Sequence, residues 1–158
     1  NEAGVGSAPN AAAAANVSHP VKQGLVQMLS AASPYYAAWR AFIEKRYTLC
    51  VSNEILSEYQ EVIECVTGSP AVAENVMLLL INSRHLRKLD PHFHFGLIER
   101  DPDDNKFVDC AIIAGADYIV SNDAHFRHLA AIPFPHVDVI CLDRFLRELE
   151  EEAGGKEE

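Results

Sequence analysis

Short β-prone runs that pass directly into helical stretches dominate this chain, and that alternation restricts it to the α/β class. Tyr47-Thr-Leu-Cys-Val51 is a strand-like run, and Ser52-Asn53 directly after it offers an N-cap for a helix reaching about Val66. Asp117-Tyr-Ile-Val-Ser121 reads as a second, buried strand, followed by a short helix over 123–129, a strand over 137–141 and a terminal helix over 142–152. A helix from Pro34 to Arg46 precedes the first run, and between the two runs lie a third helix from about Pro70 to Asn82, a short strand over 86–89, and a mostly irregular stretch over 90–100. Asp101-Pro-Asp-Asp104 then opens a helix running to Ala114. Strands separated by helices pair in parallel and need cover on both faces, so the expected architecture is a three-layer α/β/α sandwich around a central parallel sheet.

At 158 residues and 49% hydrophobic content, the chain suits one domain with a real core. Residues 1–20 hold Gly, Ser, Asn and a five-alanine run with almost no large apolar side chains. They read as a disordered tail, leaving a domain over 21–152 and a second tail over 153–158. No apolar run approaches the roughly 20 residues of a membrane helix, and nothing resembles a secretory signal, so the expected location is cytoplasmic. Cys50, Cys65, Cys110 and Cys141 stand singly in apolar surroundings and read as reduced core thiols. A formal charge of −10 excludes a protein that coats nucleic acid by general electrostatics, so any nucleic-acid chemistry needs metal ions to offset repulsion.

Ligands of parallel α/β sheets gather beyond the carboxyl ends of the strands, which directs attention to acids at strand-to-helix junctions. Asp123 lies just past the strand Tyr118–Val120, where it is either a helix cap or a site carboxylate. Rotation of about 100° per residue puts Asp104 on the side of Phe107, Val108 and Ala111, toward the sheet, where an acid is costly unless it caps the helix or meets a cation. Asp103 is the better ordinary cap. Asp109 falls nearly opposite, as a solvated acid or one that supports the ligands from outside, and is carried as a further metal candidate. In the helix from Asn53, Glu58 borders the apolar arc of Ile55, Tyr59, Val62, Ile63 and Val66, so it is either a helix-edge acid or a ligand. Oxygen-rich clusters suit Mg²⁺ and Mn²⁺ and the hydrolysis of phosphodiesters. The pairs His92/His94 and His125/His128 each offer two zinc ligands without a third or fourth, and read as ordinary polar histidines.

Three stretches taken together, Val51-Ser-Asn-Glu-Ile-Leu-Ser-Glu58-Tyr, Asp101-Pro-Asp-Asp-Asn-Lys-Phe107 and Ala116-Asp-Tyr-Ile-Val-Ser-Asn-Asp123, resemble the PIN-domain family, especially its toxin-like bacterial members. The likeness spans residues 25–148. It implies a flavodoxin-like fold and a Mg²⁺- or Mn²⁺-dependent endoribonuclease, with Glu58, Asp104 and Asp123 matching three acidic positions. It also implies an RNA substrate, an antitoxin partner and a homodimer. The family opens with a strand ending in Asp-Thr-Asn before an apolar helix, whereas Val21-Lys22-Gln23 precedes Leu25-Val26-Gln27-Met28 here. The first acid is therefore missing, and upstream of Glu44 the chain has no acid except Glu2. That departure keeps open a second reading, a PIN-like protein- or RNA-binding module without catalysis.

Overall fold

The structure is a computed structural model and describes residues 10–12 and 34–154. Its elements are β1 (Asn10–Ala12), α1 (Pro34–Ile43), β2 (Thr48–Val51), α2 (Asn53–Thr67), α3 (Pro70–Ile81), β3 (Leu86–Lys88), a 3₁₀ turn (Pro102–Asp104), α4 (Asn105–Ala114), β4 (Tyr118–Val120), a longer 3₁₀ segment (Ala124–Ala131), β5 (Val139–Ile140) and α5 (Leu142–Gly154). All strand pairs are parallel, in the order β3-β2-β1-β4-β5. The fold is the expected three-layer α/β/α sandwich. α4 lies against β1, β2 and β4 and touches α2, which pairs with α3, while α1 packs on α5.

Local chemistry sets the boundaries. Ser52 caps α2 by accepting from the Ile55 amide, and Gly68, at φ 64°, closes it with an amide that donates to Glu64 O. Ser69 caps α3 ahead of Pro70 in the same way. The core joins Phe42, Ile55, Phe107, Ile119, Phe126 and Leu149, all almost wholly buried. Tyr47 and Tyr118 each meet Phe145 of α5 edge to face, which fixes that helix to the sheet. No helix among the described residues is long and apolar enough to cross a membrane.

Three expectations change. Within the stretch read as a tail, Asn10–Ala12 pairs through its main chain with β2 on one side and β4 on the other, at the centre of the sheet. Alanine is a weak strand former, but two flanking ladders override that preference. The other residues of the stretch, and the positions Val21-Lys22-Gln23 and Leu25–Met28, lie outside the described residues. At the other end α5 continues to Gly154, two residues into the expected tail. Finally, only Cys50 and Cys110 are core thiols, whereas Cys65 and Cys141 are exposed on helix and strand-end surfaces.

Candidate metal centre

The parallel strands end on one edge of the sheet, and the junction after β4 shapes that edge. The buried Ser121 hydroxyl accepts from the Asp123 amide at 3.0 Å, and Asp123 Oδ1 accepts from the His125 amide at 2.8 Å. Asp123 is thus a true N-cap of the 3₁₀ segment. The same bond orients His125, two residues after the cap: its Nδ1 lies 3.6 Å from Asp123 Oδ1 and 3.7 Å from Asp104 Oδ2. Asn122 Oδ1 accepts from the Leu142 amide at 3.1 Å and ties the start of α5 to this edge.

Asp104 stands where the first 3₁₀ turn becomes α4, yet its side chain makes no capping bond. The cap of the turn is Asp101, whose Oδ1 accepts from the Asp103 amide at 3.3 Å, and not Asp103. Asp104 is 0% exposed, and neither carboxylate oxygen has a hydrogen-bond partner; His125 Nδ1 is likewise buried without one. Ligand atoms of Asp101, Asp104 and His125 all lie within 4.8 Å of one another. Burial, reinforced by the negative charges of Asp101 and Asp123 and only partly offset by His125 and Lys106, pushes the Asp104 carboxyl up to about 6. Buried carboxylate oxygens without donors are costly, and a divalent cation among these carboxylates and the imidazole would satisfy them. The donor set therefore fits a hard or borderline metal ion.

The remaining candidates have other partners. Glu58 Oε2 is 2.6 Å from Lys106 Nζ, which also reaches Asp103 Oδ2 at 2.7 Å; the Lys106 side chain is only 7% exposed. Burial lowers the lysine pKa, but its bonds to Asp103 and Glu58 outweigh that and raise it, so the ammonium stays charged. Asp109 is not solvated: it is 1% exposed. Its Oδ1 accepts from the Phe95 amide and its Oδ2 meets His94 Nδ1, each at 3.0 Å, so it clamps a loop and stands outside the ligand group. The histidine pairs part company, His94 going to Asp109, His128 Nε2 to Leu97 O at 2.7 Å, and His125 to the acids.

Asp101 and Lys106 are not among the sequence candidates, and His125 enters there only as half of a zinc pair with His128 that is set aside. Asp101 stands three residues before Asp104, within one helical turn, and His125 two residues after a capping aspartate, so local spacing carried a signal for both. Lys106 had a local signal only for Asp103, three residues before it; its other partner, Glu58, comes from another helix.

Residues 23–125, more than half of the chain, match the family model described as PIN domain. Residues 1–33 match the model of the sodium:alanine symporter family. Curated relatives of short reach include an uncharacterized transporter of Haemophilus influenzae, 83% identical over 29 residues, and the amino-acid carrier protein AlsT of Bacillus subtilis, 76% identical over 29 residues. These matches cover 18% of this chain, and the chain spans only 6% of the length of either relative. A solved structure of VapBC2 from Rickettsia felis bound to a DNA fragment from their promoter superposes with a TM-score of 0.50 at 18% identity, covering 83% of this chain and 98% of that one.

Proposed function

Because this chain belongs to the PIN-domain family, we propose that it is a metal-dependent endoribonuclease whose Asp104, Asp101, Asp123 and His125 hold Mg²⁺ or Mn²⁺. The observation that carries this reading is the pair of fully buried Asp104 oxygens with no donor, facing an imidazole and two further acids. A bound ion would supply polarisation of the phosphate and a more acidic coordinated water. An imidazole beside the carboxylates favours Mn²⁺ over Mg²⁺, which prefers oxygen alone. Asp123 aims His125 through its amide bond, so the imidazole reaches Asp104 without reorganisation. Lys106 holds Glu58 and Asp103 at the rim, and its charge moderates the repulsion among the acids. Together with the family resemblance of its acidic motifs, this reading takes the chain as a cytoplasmic toxin with an RNA substrate, an antitoxin partner and a homodimeric assembly.

One observation favours a second reading, the module without catalysis. The described residues of the central strand, Asn10–Ala12, bring no carboxylate to the site, and none follows before Glu44. Cleavage of labelled RNA by the full chain with Mn²⁺ separates the two. We expect slow, EDTA-sensitive cleavage that Asp104→Asn abolishes; no cleavage from a folded, Mn²⁺-binding preparation assigns the chain to the second reading.

A further inference from the structure

The irregular stretch between β3 and the first 3₁₀ turn carries Pro91-His92-Phe93-His94-Phe95, with Phe93 largely in solvent at 71% exposure and Phe95 partly so at 37%. Single exposed apolar residues are ordinary, but two phenylalanines flanked by histidines on a fastened loop are not. The fastening is specific. Asp90 accepts from the Asn53 amide at 3.0 Å and from Asn53 Nδ2 at 2.8 Å, which ties the loop to the start of α2, the helix that carries Glu58. The buried Asp109 carboxylate takes the Phe95 amide and His94, and Asn105 holds both the amide and the carbonyl of Ile98 at 2.8 Å. His128, on the segment capped by Asp123, bonds Leu97 O. The loop is therefore pinned to the start of α2, to α4 directly after Asp104, and to the 3₁₀ segment that Asp123 caps and that carries His125.

A substrate drawn to this edge meets a protein of net charge −10, so phosphate attraction alone does not hold it. Stacking on rings does not depend on protein charge and works on any unpaired base, whereas a duplex hides its base faces. The exposed cations close to the loop in sequence are Arg87 and Lys88 before it and Arg100 at its end, with Arg127 next to the His128 that bonds it. We propose that Phe93 and Phe95 form a base-stacking platform that seats single-stranded RNA beside the acidic cluster. The inference rests on the nuclease reading for its substrate, but its test does not need turnover.

Fluorescence anisotropy of a labelled RNA of about 12 nucleotides, in EDTA so that no cleavage enters, should show single strand bound at least about tenfold more tightly than the same sequence annealed to its complement. Phe93→Ala and Phe95→Ala should each weaken single-strand binding roughly 5- to 150-fold, and Phe93→Trp should restore it. Equal affinity for both RNAs, no measurable single-strand binding, or binding unchanged in both alanine variants overturns the platform. So does sedimentation showing that Phe93→Ala only dissociates a dimer while RNA affinity stays constant, which makes the rings a contact for a second copy. Cleavage assays on the same preparations keep the two readings apart. Ring-dependent binding without Mn²⁺-dependent cleavage retains the platform and removes the nuclease, whereas cleavage indifferent to both rings does the reverse.

Discussion

Asp104 and Asp109 stand at the start and in the second turn of the same helix, equally hidden from water, and their surroundings could hardly differ more. Asp109 receives a backbone amide and an imidazole, one on each oxygen. Asp104 receives no hydrogen bond, faces two other acids, and has its carboxyl pushed up to about 6 by burial and then by Asp101 and Asp123. Burial alone therefore does not mark a functional acid. On the proposed metal-binding reading, what separates the two carboxylates is whether the fold supplies their donors or leaves them to be brought from outside.

The largest effect that would break this contrast concerns activity. Asp123→Asn keeps side-chain volume and removes a charge, so any Mn²⁺-dependent RNA cleavage should fall by more than about a hundredfold with the melting temperature nearly unchanged. Retained cleavage in a clean preparation would take Asp123 out of the mechanism. Next comes Asp109→Ala, which strands the Phe95 amide and frees the loop. Urea denaturation should show a loss of roughly 3 kcal/mol, whether or not metal is present. If Mn²⁺ binding vanished instead while stability held, the assignments of the two aspartates would have to be exchanged.

Metal supplies the third comparison. An ion bound only by the folded chain should add about 2.7 kcal/mol at a hundredfold excess over its Kd, and the melting temperature should rise accordingly. Asp104→Asn should lose most of that increment, whereas a full increment in the variant would show that the ion sits elsewhere. The smallest expected effect is on the metal-free protein. A carboxyl whose pKa is higher folded than unfolded destabilises the fold only where it is ionised. The penalty should be absent below about pH 4 and complete above about pH 6, amounting to at most roughly 3 kcal/mol. In EDTA, Asp104→Asn should therefore gain on the parent as pH rises through that window, ending about 1 kcal/mol more stable at pH 7.5 after the cost of burying an unpaired amide. A variant that is less stable throughout would make Asp104 a structural acid after all.

Most of the architecture was legible because local capping signals mark the helix ends. Ser52 and Ser69 announce helices, Gly68 and Gly115 close them in the left-handed region, and the elements fall within a few residues of their expected bounds. The site was legible only in part. Helical rotation correctly turned Asp104 inward, and strand position placed Asp123 at the sheet edge. What rotation could not supply was partnership across elements, the Lys106 bridge to Glu58 and the grip of Asp109 on the 94–95 backbone, since both contacts depend on how separate pieces pack. The Ala-rich first strand was invisible for a different reason: composition reports what side chains prefer, and this segment is placed by main-chain ladders on both sides.

That central strand has a consequence for how such a protein tolerates change. Its residues fall in the stretch that matches the symporter model, yet they complete a PIN-domain sheet. Main-chain pairing asks almost nothing of residue identity, while hydrolysis asks for one carboxylate at the strand's end. The slot is therefore permissive for assembly and strict for chemistry. On the proposed reading, this segment supplies the two ladders without the acid that the family resemblance places there, so assembly of the sheet and chemistry at its edge make separate demands on one strand.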